Sequence, residues 1–371
     1  MNNHSTKLLY RIALTQINGV GDILAKNLLD TFGEEEAIFK APKRQIAAAP
    51  GFSASLADRV LNPEVLRKAE NELNFALKNE IRTFFFTDDD YPYRLKECTD
   101  APLLLYYKGN ANLDNPKIIS IVGTRKPNNY GYDFCDRFIE EIASAFPNIL
   151  IVSGLAYGID IQSHKAAIKA HVPTVGVLAH GLDRIYPGTH RQIAVDMLEN
   201  GGILSEFVSN TEPEKYNFVK RNRIVAGLAD ATIVVQSDIK GGSLITAGLA
   251  DSYDREVFAL PGRITDKESA GCNMLIEQNK AITLLSAEQF ILRMQWDVKS
   301  KVQPRQQELF IDLSADEQVI YDLLLHEDSM HVNLLSVQAN LSLPSLLPLL
   351  MMMEMKGLVR PAPGGNYQLI K

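Results

Sequence analysis

KIISIVGTRKPNNYGYDFCDRFIEEIASAFPNILIVSGLAYGID, residues 117–160, is the stretch whose pattern decides the fold. Residues 118–122 and 149–152 are short, apolar, β-branched runs, and each leads into a glycine turn. Runs without polar alternation are what parallel strands buried on both faces require. Between them, residues 132–145 are long enough for the crossover helix that two parallel strands need. The stretch therefore predicts a βαβ unit.

The same texture continues outward. Residues 174–178, 203–204, 231–235 and 257–260 are further candidate strands, and residues 159–170, 191–200, 218–228 and 244–253 are further crossover helices. The expected fold class is α/β, an extended Rossmann-like, doubly wound parallel sheet over residues 79–296. Towards the N-terminus, residues 8–77 carry apolar residues at three- and four-residue spacing, broken at Gly19, Gly21, Gly33 and Pro50-Gly51. That spacing predicts a small all-helical domain over residues 1–78. After Trp296 the chain turns polar and loses periodicity, with Lys299, Lys301, Pro304 and Arg305, which predicts a linker over residues 297–313. From Ser314 three helical stretches precede residues 358–360, a Pro/Gly turn at 361–365 and residues 367–370, the order of a winged helix over residues 314–371.

Composition bounds the function. A chain of 371 residues exceeds what one hydrophobic core organises, so two or three domains are expected. Hydrophobic residues at 46% and charged residues at 22% suffice to fill cores and cover them, which excludes extended disorder. Cys98, Cys135 and Cys272 are odd in number and form no CxxC pair, against both a disulfide framework and a structural zinc site. Residues 1–14 are too polar for a signal peptide, and no run reaches the roughly 20 apolar residues of a membrane span. A cytoplasmic location without a membrane partner is expected. The net charge of −7 argues mildly against nucleic acid, although phosphate binding depends on local clusters and not on the whole-chain sum.

In an open α/β sheet ligands bind beyond the carboxyl ends of the strands. Three loops there suit phosphate: Gly123-Thr124-Arg125, Ser153-Gly154-Leu155 and Lys240-Gly241-Gly242-Ser243. Glycine lets backbone amides approach an oxyanion, Ser or Thr adds a hydroxyl, and Arg125 or Lys240 adds charge. One such loop is no more than turn geometry; three on one sheet edge point to a phosphate ligand. None has GxGxxG or GxxxxGK[ST] spacing, so neither a dinucleotide nor a P-loop nucleotide is indicated, and no cofactor is expected. Lys220, Arg221 and Arg223, with Asn222 among them, form a basic cluster that no acidic residue balances locally. Such a cluster in an acidic chain is either a solvated helix face or a phosphate contact. Tyr130, Tyr157 and Tyr186 near the same edge either stack on bases or pack as half-buried side chains.

The motifs VGTRKPNNYG (122–131), SGLAYGID (153–160), HGLDRIYP (180–187), FVKRNRIVAGLAD (218–230), GGSLITA (241–247), VFALPG (257–262) and GCNMLI (271–276) stand in one order along the chain. In that order they resemble the DprA/Smf family of DNA-processing proteins. The likeness runs from about Thr87 to about Ala287. It implies a Rossmann-like domain that binds and protects single-stranded DNA through its backbone, forms a homodimer, and helps to load the RecA recombinase during natural transformation. Carried onto this chain, the implied DNA-contacting positions are Gly123, Arg125, Ser153, Gly154, Lys220, Arg221, Asn222, Arg223, Lys240, Gly242 and Ser243. The chain departs from the commonest pattern at His180 and His190, each of which is either a pH-sensitive phosphate ligand or a structurally hydrogen-bonded histidine.

The flanking modules read differently. Ile17-Asn18-Gly19-Val20-Gly21 and Ala49-Pro50-Gly51-Phe52-Ser53 each precede a helical stretch and resemble a pair of helix-hairpin-helix turns, open to DNA contact or to a structural role. The last helix of the winged module, residues 343–355, is rich in Leu and Met, carries Glu354 and should be distorted at Pro348, so duplex readout is not expected from it. Met351, Met352, Met353 and Met355 are expected in a core, with an adaptable protein-contact surface as the other reading.

An enzymatic alternative is a phosphoribohydrolase of the LOG family, whose glycine-rich turn carries a carboxylate. The comparable turn here, residues 241–247, carries none. Asp160, Asp183 and Asp230 lie near strand ends but join no Ser/His/Asp, HExxH or paired-carboxylate pattern, and capping or loop bracing suits them. No catalytic residue and no metal site is assigned, and binding is expected in place of chemistry.

Overall fold

The βαβ texture closes into a nine-stranded sheet in the computed structural model, which describes residues 3–296, 313–325, 329–362 and 365–370. Numbered along the chain, the strands are β1 Arg82–Phe85, β2 Leu104–Gly109, β3 Ile118–Val122, β4 Leu150–Ser153, β5 Thr174–Val177, β6 Gly201–Ser205, β7 Ala231–Val234, β8 Glu256–Ala259 and β9 Ile282–Thr283. Across the sheet their order is β1-β2-β6-β5-β4-β3-β7-β8-β9. Strands β3 to β9 pair in parallel, and β1 and β2 add an antiparallel edge. The chain winds from β3 out to β6, returns to lay β7 beside β3, and winds the other way to β9. The winding therefore reverses between β3 and β7, where doubly wound sheets open a crevice for ligands.

Both faces of the sheet are buried, as the runs of apolar residues predict. Val122, Val152, Val177 and Val234 belong to one hydrophobic cluster, while their neighbours Ile121, Ile151 and Ile233 belong to another on the opposite face. The polar Ser120 and Thr232 are tolerated between them because their hydroxyls bond each other at 2.7 Å across β3 and β7.

The described residues fall into two compact units, Met1–Val298 and Lys299–Lys371. The N-terminal helices form as expected, but they do not close a core of their own. Leu8, Ile12, Leu28 and Leu73 share one hydrophobic cluster with Phe85, Leu103, Leu104 and Tyr106 from the β1–β2 edge. Short amphipathic helices need a second layer to bury their apolar stripe, and the antiparallel edge supplies it. Buried Arg11 ties the same seam, bonding Glu35 at 2.8 Å and Asp88 at 2.7 Å. Residues 297–312 of the expected linker lie outside the described residues.

The second unit has the predicted winged-helix order. Helices Ala315–Leu325, Val332–Gln338 and Leu343–Met355 precede strands Val359–Ala362 and Asn366–Leu369, which pair as an antiparallel wing. Helix Leu343–Met355 runs through Pro348 without a break. The core expectation for the methionines holds only for Met353, which shares a buried stripe with Leu346 and Leu350, whereas Met351, Met352 and Met355 are exposed. Helical geometry forces the split, since positions 346, 350 and 353 share a face and 351, 352 and 355 do not.

Candidate nucleic-acid interface

The crevice at the winding reversal is a cavity of about 550 Å³. Gly123, Thr124 and Arg125 enter it after β3, and Gly154, Ala156 and Asp160 after β4. Lys215, Phe218, Arg221 and Asn222 reach it from helix Lys215–Gly227, and residues 240–243 with Thr246 from the loop and helix after β7. Helix Gly242–Ser252 begins at this wall, so the amides of Gly242 and Ser243 and the positive end of its dipole lie where an anion would sit.

The loops are braced from within the sheet. Thr124 donates its amide to the Gln236 carbonyl at 2.7 Å, which stitches the ends of β3 and β7 together. The side chain of buried Gln236 donates to Asn128 Oδ1 at 2.9 Å, and Asn128 caps helix Asn129–Ala145. Gly158 has φ of +80°, and a Cβ there would strike the Thr124 carbonyl, so only glycine lets the two loops pass. A Cβ on Gly154 would meet both the Asp160 carboxylate and the Arg221 guanidinium, so this glycine keeps the cavity floor open.

Free positive charge lies at the mouth. Arg125, Lys215 and Lys240 are exposed, and among the described residues none of them is ion-paired. Arg125 instead sits 5.5 Å over the Phe218 ring, a cation–π contact that leaves its donors available. Arg221 lies deeper. It is buried, donates one nitrogen to the Val177 carbonyl, and has no partner for Nε. Burial pulls its guanidinium below the ordinary arginine range against the opposing attraction of Asp160. Burial likewise pushes Asp160 up, with Arg221 opposing. Both directions show that desolvation outweighs the mutual attraction of this pair, so Arg221 is a buried cation short of stabilising charge.

The expected site residues separate into two sets. Gly123, Arg125, Gly154, Arg221, Asn222, Lys240, Gly242 and Ser243 all line the cavity. Ser153, Lys220 and Arg223 do not. Ser153 is buried and gives its hydroxyl to the Ile121 carbonyl at 2.6 Å. Lys220 and Arg223 lie on the other side of their helix, where both pair with Glu206, at 2.7 and 2.5 Å. Arg223 also reaches Asp22 at 3.1 Å. Lys220 and Arg223 of the basic cluster are therefore balanced after all, by carboxylates brought from beyond β6 and from the N-terminal helices, which local sequence cannot show. Lys215 and Phe218 are members that the sequence reading missed; the signal was the three-residue step from Lys215 to Phe218 and the four-residue step from Phe218 to Asn222, which put all three on one helix face.

The histidines lie outside this cavity and bond to backbone. Nδ1 of His180 meets the Gly181 carbonyl, and Nδ1 of His190 meets the Leu155 carbonyl, each at 2.8 Å. A third, His164, braces the cavity from below: fully buried, it joins Thr174 Oγ1 at 2.7 Å and the Gly154 carbonyl at 2.9 Å. Of the three tyrosines that could stack on bases or pack as half-buried side chains, Tyr130 bonds the Pro261 carbonyl at 2.9 Å and Tyr157 packs edge-on against His190. Tyr186 leans towards Phe218 at 6.1 Å. Among the described residues no group of three or more His, Cys, Asp or Glu converges as a metal site would.

Comparison with known proteins gives consistent matches. A family model described as DNA recombination-mediator protein A matches residues 82–295, one for the DprA winged helix domain matches residues 304–365, and one for a SAM-like helix-hairpin-helix tandem matches residues 12–62. Protein Smf of Synechocystis sp. is 36% identical over 76% of this chain and 71% of its own length. The DNA processing protein DprA of Bacillus subtilis is 41% identical over 57% of this chain and 77% of its own length. The crystal structure of DprA from Streptococcus pneumoniae superposes with a TM-score of 0.63 at 31% identity, covering 77% of this chain and 97% of that one. DNA processing protein A from Helicobacter pylori, described for its single-stranded DNA binding mode, superposes with a TM-score of 0.52 at 31% identity, covering 58% of this chain and 97% of that one.

Proposed function

The chain belongs to the DprA/Smf family of DNA-processing recombination mediators, which are not enzymes, and on that premise we infer that it captures single-stranded DNA by its phosphate backbone at the β3–β7 crevice. One observation carries the reading. Three glycine-bearing loops, a helix N-terminus and the unpaired Arg125, Lys215 and Lys240 converge on one cavity of about 550 Å³. Backbone amides and exposed cations bind phosphate without reading base edges, so little sequence preference and a steep dependence on salt follow. Arg221 completes the site from below, because an incoming oxyanion supplies the negative charge its burial lacks.

The expected partners and setting extend this reading. The captured strand is handed to the RecA recombinase in the cytoplasm during natural transformation, and a homodimer lengthens the groove. Support comes from the recombination-mediator match over residues 82–295.

Phosphoribohydrolysis finds no support in the cavity. Of its two carboxylates, Asp238 accepts from the Ile239 amide at 2.6 Å and pairs with Lys267 at 3.3 Å, while Asp160 is buried and feels the charge of Arg221. Fluorescence anisotropy with labelled oligothymidylate and a matching duplex, across a salt series, tests the reading. Arg125→Glu should weaken single-strand binding by well over about tenfold, since it replaces attraction at the mouth with repulsion. Unchanged affinity would refute the site. Arg125 is a cleaner probe than Arg221, because Arg221→Glu would bury a second carboxylate against Asp160 and threaten the fold.

A further inference from the structure

Beside the phosphate cavity lies a second one of about 560 Å³, between helix Lys215–Gly227 and the start of helix Asp22–Phe32. Val219 and Ile245 line both, so the two cavities share a wall. Its lining is unusual for a surface. Tyr216 is 72% exposed and Ile23 64%, and with Val219 and Ile245 they form a contiguous apolar rim. Tyr216 has neither a hydrogen bond nor a ring partner among the described residues.

The charges in this second cavity are already spent. Arg223 is held by Glu206 and Asp22, Lys220 by Glu206, and Asp100 accepts from the Tyr253 hydroxyl at 2.5 Å. Nothing there offers a free cation to phosphate, in contrast to the neighbouring cavity. An exposed aromatic ring among aliphatic side chains suits instead a flat, weakly polar group. On a single strand whose phosphates occupy the first cavity, the groups of that kind beside them are its bases.

We propose that Tyr216, with Ile23, Val219 and Ile245, forms a nucleobase subsite in which a base of the captured strand stacks on Tyr216. This rests on the phosphate-capture reading and deepens it. The subsite makes the N-terminal helices part of the DNA track through the side chain of Ile23 and not through phosphate contacts at the glycine turn. It also predicts discrimination against duplex, because paired bases cannot turn out onto an aromatic platform.

Anisotropy titrations of the full-length chain with oligothymidylate and with an abasic strand of equal phosphate number test the subsite, with Arg125→Glu run alongside. Tyr216→Ala should lose about tenfold in affinity for oligothymidylate, leave the abasic strand unaffected, and keep the salt slope of the wild type. Tyr216→Trp should restore or tighten oligothymidylate binding. If Arg125→Glu weakens both strands while Tyr216→Ala weakens neither, the subsite is refuted and phosphate capture stands. If Arg125→Glu weakens neither, phosphate capture fails and the subsite with it. A change in self-association on sedimentation of Tyr216→Ala, without a change in DNA affinity, would make the rim a contact between protein copies and overturn the proposal.

Discussion

Helix Lys215–Gly227 presents two sets of cations that its sequence does not distinguish. On one side Lys220 and Arg223 are closed off by Glu206 and Asp22. On the other, Lys215 joins Arg125 and Lys240 around an open cavity, and among the described residues no carboxylate is paired to any of them. The charge that a ligand meets is what remains after intramolecular pairing, and pairing depends on segments far apart in the chain. The first set therefore holds the helix in place, and the second is left for the phosphate ligand proposed above.

That contrast can be broken most forcefully at Arg223. Arg223→Ala would leave the buried Glu206 with Lys220 alone, and breaking a buried pair from one side costs about 3–5 kcal/mol. The midpoint of urea unfolding should fall accordingly, while protein that remains folded keeps its single-strand affinity within a few-fold. A large affinity loss without loss of stability would reverse the assignment of the two sides.

Burial governs charge beneath the cavity as well. Burial pulls His164 from an ordinary value of 6.5 down to about 4, so between these values the unfolded chain binds a proton that the folded chain refuses. Stability from this group is complete above about pH 6.5 and is lost as pH falls towards 4, by about 3 kcal/mol in all. Unfolding free energies measured across that window should show the slope, and His164→Gln should flatten it. An unchanged slope in the variant would place the titration elsewhere.

A finer distinction between the two sets comes from salt. Lys240→Ala should lower the slope of log affinity against log salt by about 0.7, the value of one single-strand phosphate contact, whereas Lys220→Ala should leave it where it was. Equal changes in both would dissolve the comparison. The smallest effect is expected from removing residues after Asp312, which should alter single-strand affinity by no more than a few-fold. The winged-helix unit shows Leu347, Met351 and Met355 on its exposed surface and no basic residue within helix Leu343–Met355. A large loss would give that unit a DNA role that its residues do not suggest.

The parallel sheet was the legible part of this chain. The run at residues 118–122 predicted β3 to the residue, and the other five predicted strands begin within two residues of β4 to β8. Strands β1, β2 and β9 escaped the reading: β9 has two residues, and β1 and β2 are an antiparallel edge whose pairing is not written in periodicity. Of the site, the glycine loops were legible because each stands at a strand end whose neighbours the winding rules bring together. The roles of Ser153, Lys220 and Arg223 were not, since what occupies them lies at Ile121, Glu206 and Asp22.

The fold class, and the strand-end place and phosphate-friendly residues of the proposed site, were already written in the sequence, because these follow from local periodicity, turn residues and side-chain type. Only the tertiary structure decided which cations remain free, which methionines face outward, and that the N-terminal helices complete their core on the β1–β2 edge. Those outcomes depend on long-range packing and charge pairing, and a side chain's burial and its partner's distance exist only once the chain has folded.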